Sequence, residues 1–411
     1  MAKIQNVRGT YDVYGETKRK MKKVVSTGAE VVEKYGFEEI ETPIFEFTEV
    51  FSRNLGETSD VVTKEMYCFQ DRGGESLTLR PEGTAGVVRS FVSEGMQQNL
   101  PVKLYYAGPM FRYERPQKGR QRQFTQFGCE LLGVETPQAD IEVISMAYEF
   151  VEKLGLEGNV VVEINSLGDQ ESRDAYRTKL VEYLRGHIDE LSGDSKERLE
   201  KNPLRVLDSK EECDKEVVAN APLYWDSLNE ASKNFFNEVL KGLDSLGIKY
   251  RVNNRLVRGL DYYSHTVFEL VTDKLGAQGT VLAGGRYDGL VEQMGGGAVA
   301  GIGWACGVER LSMLLEQDVS LPRPIAVIPV GEDTNGKAIE IAYLLRKAGY
   351  RVEQSYGGNL KKRMIKANKA NAYKAVIIGS DELANNEVTI KDLDSGEQKN
   401  VAINKIVEEI K

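Results

Sequence analysis

The order of strand and helix patterns changes near residue 320, and this change most constrains the fold. Before it, strand patterns follow one another across short polar loops, which is typical of an α+β domain built around an antiparallel sheet. After it, strands and helices alternate, which predicts a smaller α/β domain with a mostly parallel sheet. We therefore predict a domain over 1–320 and another over 324–411, joined by the polar connector 316–324.

In the first part of the chain, apolar residues at i, i+3, i+4 and i+7 predict a helix over 17–35, with Gly36 at the position of a left-handed cap. The next segment, 37–46, alternates like a strand and contains Pro43, which favours a strand end or a sheet edge. Further patterns predict helices over 83–95 and 139–154, and strands within 102–133 and over 160–165, 266–271, 279–283 and 299–305. Residues 170–255 are mostly helical in pattern and predict an inserted helical subdomain.

The second domain contains a strongly basic segment. Its predicted elements are strand 325–330, helix 336–348, strand 350–354, helix 359–370, strands 374–379 and 387–392, and helix 401–410. Residues 357–374 carry six basic side chains and no acidic one, although the whole chain has a net charge of −9. A polyanion would contact this segment first, but charge alone favours a solvated helix face.

Several classes of protein are disfavoured by what the chain lacks. Its apolar runs, such as 325–330, are far shorter than the ~20 residues that span a bilayer. The N-terminal residues lack the apolar core of a signal peptide. Four cysteines are scattered without a C-x-x-C pair, which indicates neither a disulfide framework nor a cysteine zinc site. We expect a reduced, cytoplasmic protein.

The densest basic stretch of the first domain is 111–130 (FRYERPQKGRQRQFTQFGCE), a charged loop between two strand patterns. The planar guanidinium groups of Arg112 and Arg120 suit phosphate oxygens, and a hairpin would give them a rigid base. A solvated hairpin tip is the alternative. Gln126 and Glu130 lie four residues apart and so share one face of the returning strand, beside a glycine. This arrangement predicts a pocket for a small polar ligand.

Carboxylate and hydroxyl groups recur in TLRPEGTAG (78–86). Glu82 and Thr84 stand at the predicted start of a helix, where a carboxylate either caps the helix or receives an ammonium group.

Two further arginines precede or follow apolar strands. In RGLDYY (258–263), Arg258 stands before a strand, where an ion pair with Asp261 is the simplest interpretation. In GVERL (307–311), Arg310 falls in the first turn of a predicted helix. A cation there opposes the helix dipole, which indicates a compensating anion.

Common nucleotide and hydrolase motifs are absent from the sequence. Gly295, Gly297 and Ala300 fit G-x-G-x-x-A, but no strand-turn-helix unit surrounds them, and no P-loop motif occurs. With only His187 and His265, a histidine triad or a histidine metal site is not expected. Phosphoryl or adenylyl transfer needs no such group, because positioning and charge neutralisation supply most of the barrier reduction.

Taken together, these motifs resemble the class II aminoacyl-tRNA synthetases. Residues 36–46 resemble motif 1, 111–130 motif 2 and 307–311 motif 3. RGLDYY and GGRYDGL (284–290) resemble two peptides peculiar to the histidyl-tRNA synthetases, so the resemblance narrows to that family. It covers nearly the whole chain.

The resemblance implies formation of histidyl-adenylate from histidine and ATP, followed by transfer of histidine to the 3′ end of tRNA(His). It implies Mg²⁺ accompanying ATP, an obligatory homodimer through motif 1, and an anticodon-binding domain from about residue 324; no metal site on the protein is expected from its cysteine and histidine content. With that implication, tRNA contact becomes the favoured interpretation of the basic helix 359–370, and such contact should be salt-sensitive.

The resemblance also assigns individual residues. The catalytic residues would be Arg258, at the reacting α-phosphate and carboxylate, and Arg112, on the α-phosphate. ATP would be bound by Arg112, Glu114, Arg120 and Arg310, the last near the γ-phosphate. Histidine would be bound by Glu82, Gly83, Thr84, Gln126, Glu130, Tyr262 and Tyr263. Within that set, Glu82, Thr84 and Gln126 would hold the α-amino group, and Glu130 with Tyr263 the imidazole.

Three alternatives remain open at this point. The regulatory subunit of ATP phosphoribosyltransferase shares the catalytic fold, but it typically lacks the C-terminal domain and parts of the two peptides. Synthetases for proline, threonine or glycine have similar C-terminal domains, but RGLDYY and the pair Gln126 and Glu130 are evidence against them. An RNA-binding accessory protein would not need four convergent arginines.

Overall fold

The computed structural model describes residues 3–53, 61–207, 209, 211–275, 279–316 and 319–410. Residues 317 and 318 of the predicted connector lie outside this description. The chain forms two compact units, Met1–Val319 and Ser320–Lys411, which are described separately. No helix in the described ranges is both long enough and apolar enough to cross a membrane.

The first unit contains ten α-helices and eleven strands among its described residues. The helices are α1 (Gly15–Lys34), α2 (Glu49–Ser52), α3 (Thr84–Ser93), α4 (Pro137–Lys153), α5 (Gln170–Gly186), α6 (Gly193–Lys201), α7 (Glu212–Ala219), α8 (Glu230–Ser245), α9 (Leu290–Gln293) and α10 (Val308–Leu314). The strands are β1 (Glu38–Glu39), β2 (Phe45–Phe47), β3 (Tyr67–Gln70), β4 (Ser76–Leu79), β5 (Val102–Phe111), β6 (Gln123–Leu132), β7 (Val161–Ser166), β8 (Tyr250–Val252), β9 (Ser264–Val271), β10 (Thr280–Arg286) and β11 (Gly301–Gly307).

An eight-stranded sheet in the order β1-β5-β6-β11-β10-β9-β7-β8 organises this unit. Its two outer pairs, β1 with β5 and β7 with β8, are parallel, and every pair between them is antiparallel. The predicted α+β class is therefore confirmed. Strands β2, β4 and β3 form a separate three-stranded sheet.

Side chains alternate between the two faces of the large sheet. Phe127 and Trp304 point to the face covered by α1 and α4, where they pack with Phe150 at centroid distances of 5.7–5.8 Å. Because the period of a strand is two, the neighbouring positions Gln126 and Gly303 face the opposite side. That opposite side carries the candidate site.

The single strand predicted over 37–46 is wrong. Only Glu38–Glu39 and Phe45–Phe47 are strands, and they belong to different sheets. Pro43 lies between them and has no N–H to offer a ladder. The carbonyl of Thr42 is also engaged, since it accepts a hydrogen bond of 2.7 Å from Arg80 Nη1.

The second unit is a five-stranded sheet with helices. Its elements are β12 (Ile325–Pro329), α11 (Asn335–Lys347), β13 (Val352–Gln354), α12 (Leu360–Lys369), β14 (Lys374–Ile378), α13 (Ser380–Ala384), β15 (Glu387–Asp392), β16 (Gln398–Ala402) and α14 (Ile406–Glu409). The order is β13-β12-β14-β15-β16, with β12 parallel to β13 and β14. The β14–β15 and β15–β16 pairs are antiparallel, so the sheet is mixed and not mostly parallel as predicted.

The helix predicted over 401–410 is only partly right. Residues 401 and 402 end β16, and α14 begins at Ile406. A tight turn with Gly396 at φ +81° returns the chain antiparallel to β15, so hairpin pairing determines the structure up to residue 402.

Candidate active site

A cleft of about 220 Å³ opens on the sheet face opposite α1 and α4, where β6, β10 and β11 meet the loop 258–263 and the start of α10. Eleven of the twelve predicted site residues line it: Glu82, Thr84, Arg112, Glu114, Arg120, Gln126, Glu130, Arg258, Tyr262, Tyr263 and Arg310. Gly83 does not line it. A Cβ at Gly83 would lie 2.1 Å from the ring of Tyr106, so the absent side chain makes room for that tyrosine.

Glu130 is a buried carboxylate in the floor of the cleft, with 1% of its surface exposed. Its Oε1 accepts the hydroxyl of Thr84 at 2.7 Å, and its Oε2 accepts the hydroxyl of Tyr287. Burial raises the pKa of Glu130 to about 8, and the two hydroxyl donors oppose that rise. Gly303 lies opposite on β11, where a Cβ would come within 1.9 Å of Glu130 Oε2.

Glu82 lies at the start of α3. Its carboxylate accepts the backbone N–H groups of Thr84 at 2.8 Å and Ala85 at 2.7 Å, as a helix cap does. Burial raises the pKa of Glu82, and these two N–H donors counteract the effect. Glu82 therefore caps the helix and also lines the cleft, so it could still receive an ammonium group of a ligand.

Tyrosine rings form one wall of the cleft. The Tyr262 ring lies 4.6 Å from that of Tyr263 and 5.7 Å from that of Tyr287, centroid to centroid. All three are at least nine-tenths buried, and burial raises the pKa of each. These phenols therefore stay protonated at neutral pH and can donate hydrogen bonds.

The basic hairpin predicted over 111–130 is present, since β5 and β6 pair along their length and flank residues 112–122. Arg112 donates from Nε to the carbonyl of Pro81 at 2.8 Å, and its guanidinium lies 5.3 Å from the centre of the Phe124 ring. Arg120 pairs with Glu114, with Nε and Oε2 separated by 2.8 Å. These contacts hold the loop arginines above the cleft.

Arg310 is fixed by backbone oxygens. Its Nε donates to the carbonyl of Gly119 at 3.0 Å and its Nη1 to the carbonyl of Thr280 at 2.5 Å. Burial lowers its pKa, and the nearby positive charges of Arg120 and Arg112 lower it further. This region therefore favours a negatively charged ligand.

The ion pair of Arg258 differs from the simplest sequence interpretation. Arg258 Nη1 pairs with Glu269 on β9, and Glu269 also accepts the hydroxyl of Thr280 at 2.7 Å. Asp261 instead accepts hydrogen bonds from Asn202. Asp261 is therefore not the ion-pair partner of Arg258. The loop directs Asp261 toward Asn202 of the helical region 170–255 and leaves Arg258 beside β9.

Sequence reasoning did not assign Tyr287, Glu269 or Thr280. Tyr287 follows the glycines of GGRYDGL, and its position in that peptide was the available signal. Glu269 shares a strand face with Val267, two residues earlier, and a carboxylate within the apolar run 267–271 was a second signal.

No three His, Cys, Asp or Glu side chains of the described ranges are grouped closely enough to form a protein metal site. The site instead combines a polar floor, an aromatic wall and arginines on a hairpin and at a helix start, all on one antiparallel sheet. This arrangement defines the catalytic domain of a class II aminoacyl-tRNA synthetase.

Comparison with known proteins identifies the family within this class. The family described as histidyl-tRNA synthetase matches residues 9–311, and the family described as anticodon binding domain matches residues 324–411. The chain is 59% identical to a histidine–tRNA ligase of Rhodospirillum rubrum and 55% identical to one of Gluconobacter oxydans; each alignment covers 98% of this chain and 97% of the relative. The crystal structure of apo histidyl-tRNA synthetase from S. aureus is similar, with a TM-score of 0.83, 37% identity and 99% coverage of both chains. The chain belongs to the histidyl-tRNA synthetase family.

Proposed function

We propose that this protein is a histidine–tRNA ligase. It activates L-histidine with ATP to histidyl-adenylate and then transfers histidine to the 3′ end of tRNA(His). The observation that carries the proposal is the floor of the cleft, where Glu130 is buried between two hydroxyl donors within a site that also holds four arginines. A carboxyl group accepts an imidazole N–H through an oxygen lone pair whether or not it is ionised, and arginines neutralise phosphates.

Histidine lies with its imidazole against Glu130 and Tyr263, with Tyr262 completing the aromatic wall. The α-ammonium group is received by Glu82, Gln126 and the hydroxyl of Thr84, with Gly83 between Glu82 and Thr84 in the chain. Gln126 Oε1 supports this placement, because it is buried and has no hydrogen-bond partner among the described residues. An amino acid without an imidazole N–H would not make this further hydrogen bond to the buried Glu130, which predicts discrimination in favour of histidine.

ATP, accompanied by Mg²⁺ as part of the substrate, lies across the arginines. Arg112 contacts the α-phosphate, Arg310 lies near the γ-phosphate, and Glu114 and Arg120 complete the ATP site. A carboxylate oxygen of histidine forms a bond to the α-phosphorus, and the bond from that phosphorus to the leaving pyrophosphate breaks. The substrate carboxylate is itself the nucleophile, so the protein supplies charge and position, chiefly from Arg258 and Arg112.

In the second step, a hydroxyl of the terminal ribose of tRNA attacks the carbonyl carbon of the adenylate. An ester bond to histidine forms, and AMP leaves. We assign the first step and this transfer to a catalytic domain over 1–320 that contains a helical insertion over about 170–255, and tRNA recognition to an anticodon-binding domain over 324–411.

The basic surface of α12 supports tRNA contact by the second domain. Asn359 caps this helix through its side chain, which accepts the N–H of Lys362 at 3.0 Å. Lys361, Lys362 and Lys366 are exposed along it. Such a row suits the phosphates of a nucleic acid.

We further propose a homodimer that forms through the motif 1 region and acts in the cytoplasm. The small β2-β4-β3 sheet supports the dimer, since Ile44, Phe45, Phe47 and Phe69 are each 44–53% exposed in or beside it. Clustered large apolar side chains of this kind mark protein interfaces.

Histidine-dependent exchange of pyrophosphate into ATP tests the proposal. We expect exchange with histidine and none above background with the other amino acids, and charging of total tRNA with histidine alone. Purified protein that binds ATP but supports no exchange with histidine would refute the enzyme assignment.

A further inference from the structure

The loop that carries Arg258 has little backbone support of its own. Residues 253–263 connect β8 to β9 without regular secondary structure. No backbone–backbone hydrogen bond joins residues 258–263 to any other part of the chain that the structure describes. Its position therefore depends on side chains from elsewhere.

Three side chains of the helical insertion hold this loop. Arg205 Nη2 donates to the carbonyl of Gly259 at 2.7 Å, and Arg173 Nη2 donates to the carbonyl of Asp261 at 3.0 Å. Asn202 Nδ2 lies 2.9 Å from each carboxylate oxygen of Asp261. We call Arg173, Asn202 and Arg205 the loop clamp.

The loop clamp acts on the residues immediately after Arg258. Arg173 lies on α5, and Asn202 and Arg205 follow α6, so two helices of the insertion fix one short loop. The Arg258 side chain is held separately by Glu269. The clamp thus fixes the backbone that carries Arg258, while Glu269 orients its guanidinium.

We infer that the helical insertion is a positioning element for adenylate formation, and that Arg173, Asn202 and Arg205 are positioning residues that act through Arg258. The inference rests on the proposed function, because it requires that Arg258 serve the reacting phosphate. A displacement of about 1 Å in such a charge can cost a rate on the order of 100-fold. Histidine binding should change less than the rate. Glu130 and Tyr287 lie on other segments, and Tyr262 and Tyr263 of the same loop are buried and packed, Tyr262 against Tyr263 and Tyr287.

Arg205→Ala tests the inference, with Tyr183→Phe as a matched control. Tyr183 also donates from its side chain to a backbone carbonyl, that of Val217 at 2.9 Å, but both groups lie inside the insertion. We expect Arg205→Ala to lower kcat of pyrophosphate exchange roughly 10- to 100-fold, with the KM for histidine changed less than about threefold. Tyr183→Phe should leave both values near those of the wild type.

Arg205→Lys should recover part of the lost rate, because an ammonium group can still donate to the carbonyl of Gly259. The decisive measurement is the combination with Arg258→Ala. If the clamp acts through Arg258, adding Arg205→Ala to Arg258→Ala will cause little further loss of kcat.

Additive losses would overturn the inference, as would an Arg205→Ala variant with unchanged kcat. A parallel fall in histidine affinity and rate would also overturn it, since general loosening of the site would then explain the result. Denaturant unfolding of each variant identifies a global loss of folding, and Asn202→Ala supplies an independent test of the same loop. Failure of the proposed function is distinguishable, because the wild-type protein itself would then lack exchange.

Discussion

Replacement of Glu130 by glutamine should remove a pH dependence from the stability of the first unit. Glu130 is buried, and burial raises its pKa from an ordinary 4.5 to about 8. Glutamine has nearly the same shape and can still accept a hydroxyl from Thr84 or Tyr287, but it does not titrate. The substitution therefore separates the effect of protonation from that of packing.

The sign follows from the protons bound in each state. Between the two pKa values, the folded protein keeps a proton on Glu130, while the unfolded chain releases it, so the free energy of unfolding falls as pH rises. The fall is on the order of 1 kcal/mol per pH unit, or roughly 3 kcal/mol between about pH 5.5 and pH 7.5. The loss is complete above about pH 8, and Glu130→Gln should lack this slope altogether.

Tryptophan fluorescence during denaturant unfolding measures the free energy of unfolding of the first structural unit, which contains Glu130. Both tryptophans of the chain, Trp225 and Trp304, belong to Met1–Val319. Wild type and variant are compared at one protein concentration across the pH range, so that the other titrating groups cancel in the difference. The part of the difference in unfolding free energy that is the same at every pH reflects the altered hydrogen bonds. If the difference has no part that varies with pH, a protonated Glu130 at neutral pH is refuted.

Three other substitutions test the site and the second domain. Gly303→Ala would place a Cβ 1.9 Å from Glu130 Oε2 and 2.3 Å from the carbonyl oxygen of Cys129; calorimetry should show histidine affinity at least about tenfold weaker, while Gly158→Ala, with nothing within 4 Å, should bind normally. Arg258→Ala should lower kcat of exchange by ~100-fold or more with a nearly unchanged histidine KM, and equal losses in both would contradict its assigned role. Lys362→Gln should reduce the salt dependence of tRNA binding by about one unit of slope without affecting exchange, and an unchanged slope would argue against phosphate contact by α12.

The elements that were predictable from sequence are those with a repeated pattern. The helix predicted over 17–35 is Gly15–Lys34, because buried residues recur at helical spacing from Met21 to Val32. The placement of Gln126 and Glu130 on one strand face is also observed, since it depends only on the period of two. Local periodicity was sufficient in both cases.

Contacts between distant segments were not predictable in this way. Tyr287 reaches Glu130 across 157 residues, and nothing in either segment specifies the other. The pairing of Arg258 with Glu269 likewise depends on the course of an irregular loop. The hairpin of β15 and β16 replaced the start of a predicted helix because strand pairing, which is not local, outweighed local helix preference.

The arginines of the cleft are held in place before any substrate arrives. Arg112 is fixed by the carbonyl of Pro81, Arg310 by carbonyls of Gly119 and Thr280, and Arg258 by the carboxylate of Glu269. These oxygens come from separate segments, so folding of the sheet sets the spacing of the positive charges. Binding of a ligand then costs little free energy for ordering the arginine side chains.

Holding several cations close together also has an electrostatic cost. Burial, and then the positive charges of Arg120 and Arg112, lower the pKa of Arg310, which is the direction expected from such repulsion. A polyphosphate that spans the arginines removes the repulsion, and the gain is largest where negative charge is concentrated. Relief of this repulsion between the arginines therefore contributes to affinity for ATP. Because the arginines are fixed in position, the stabilisation is greatest at the phosphate where negative charge develops during the reaction.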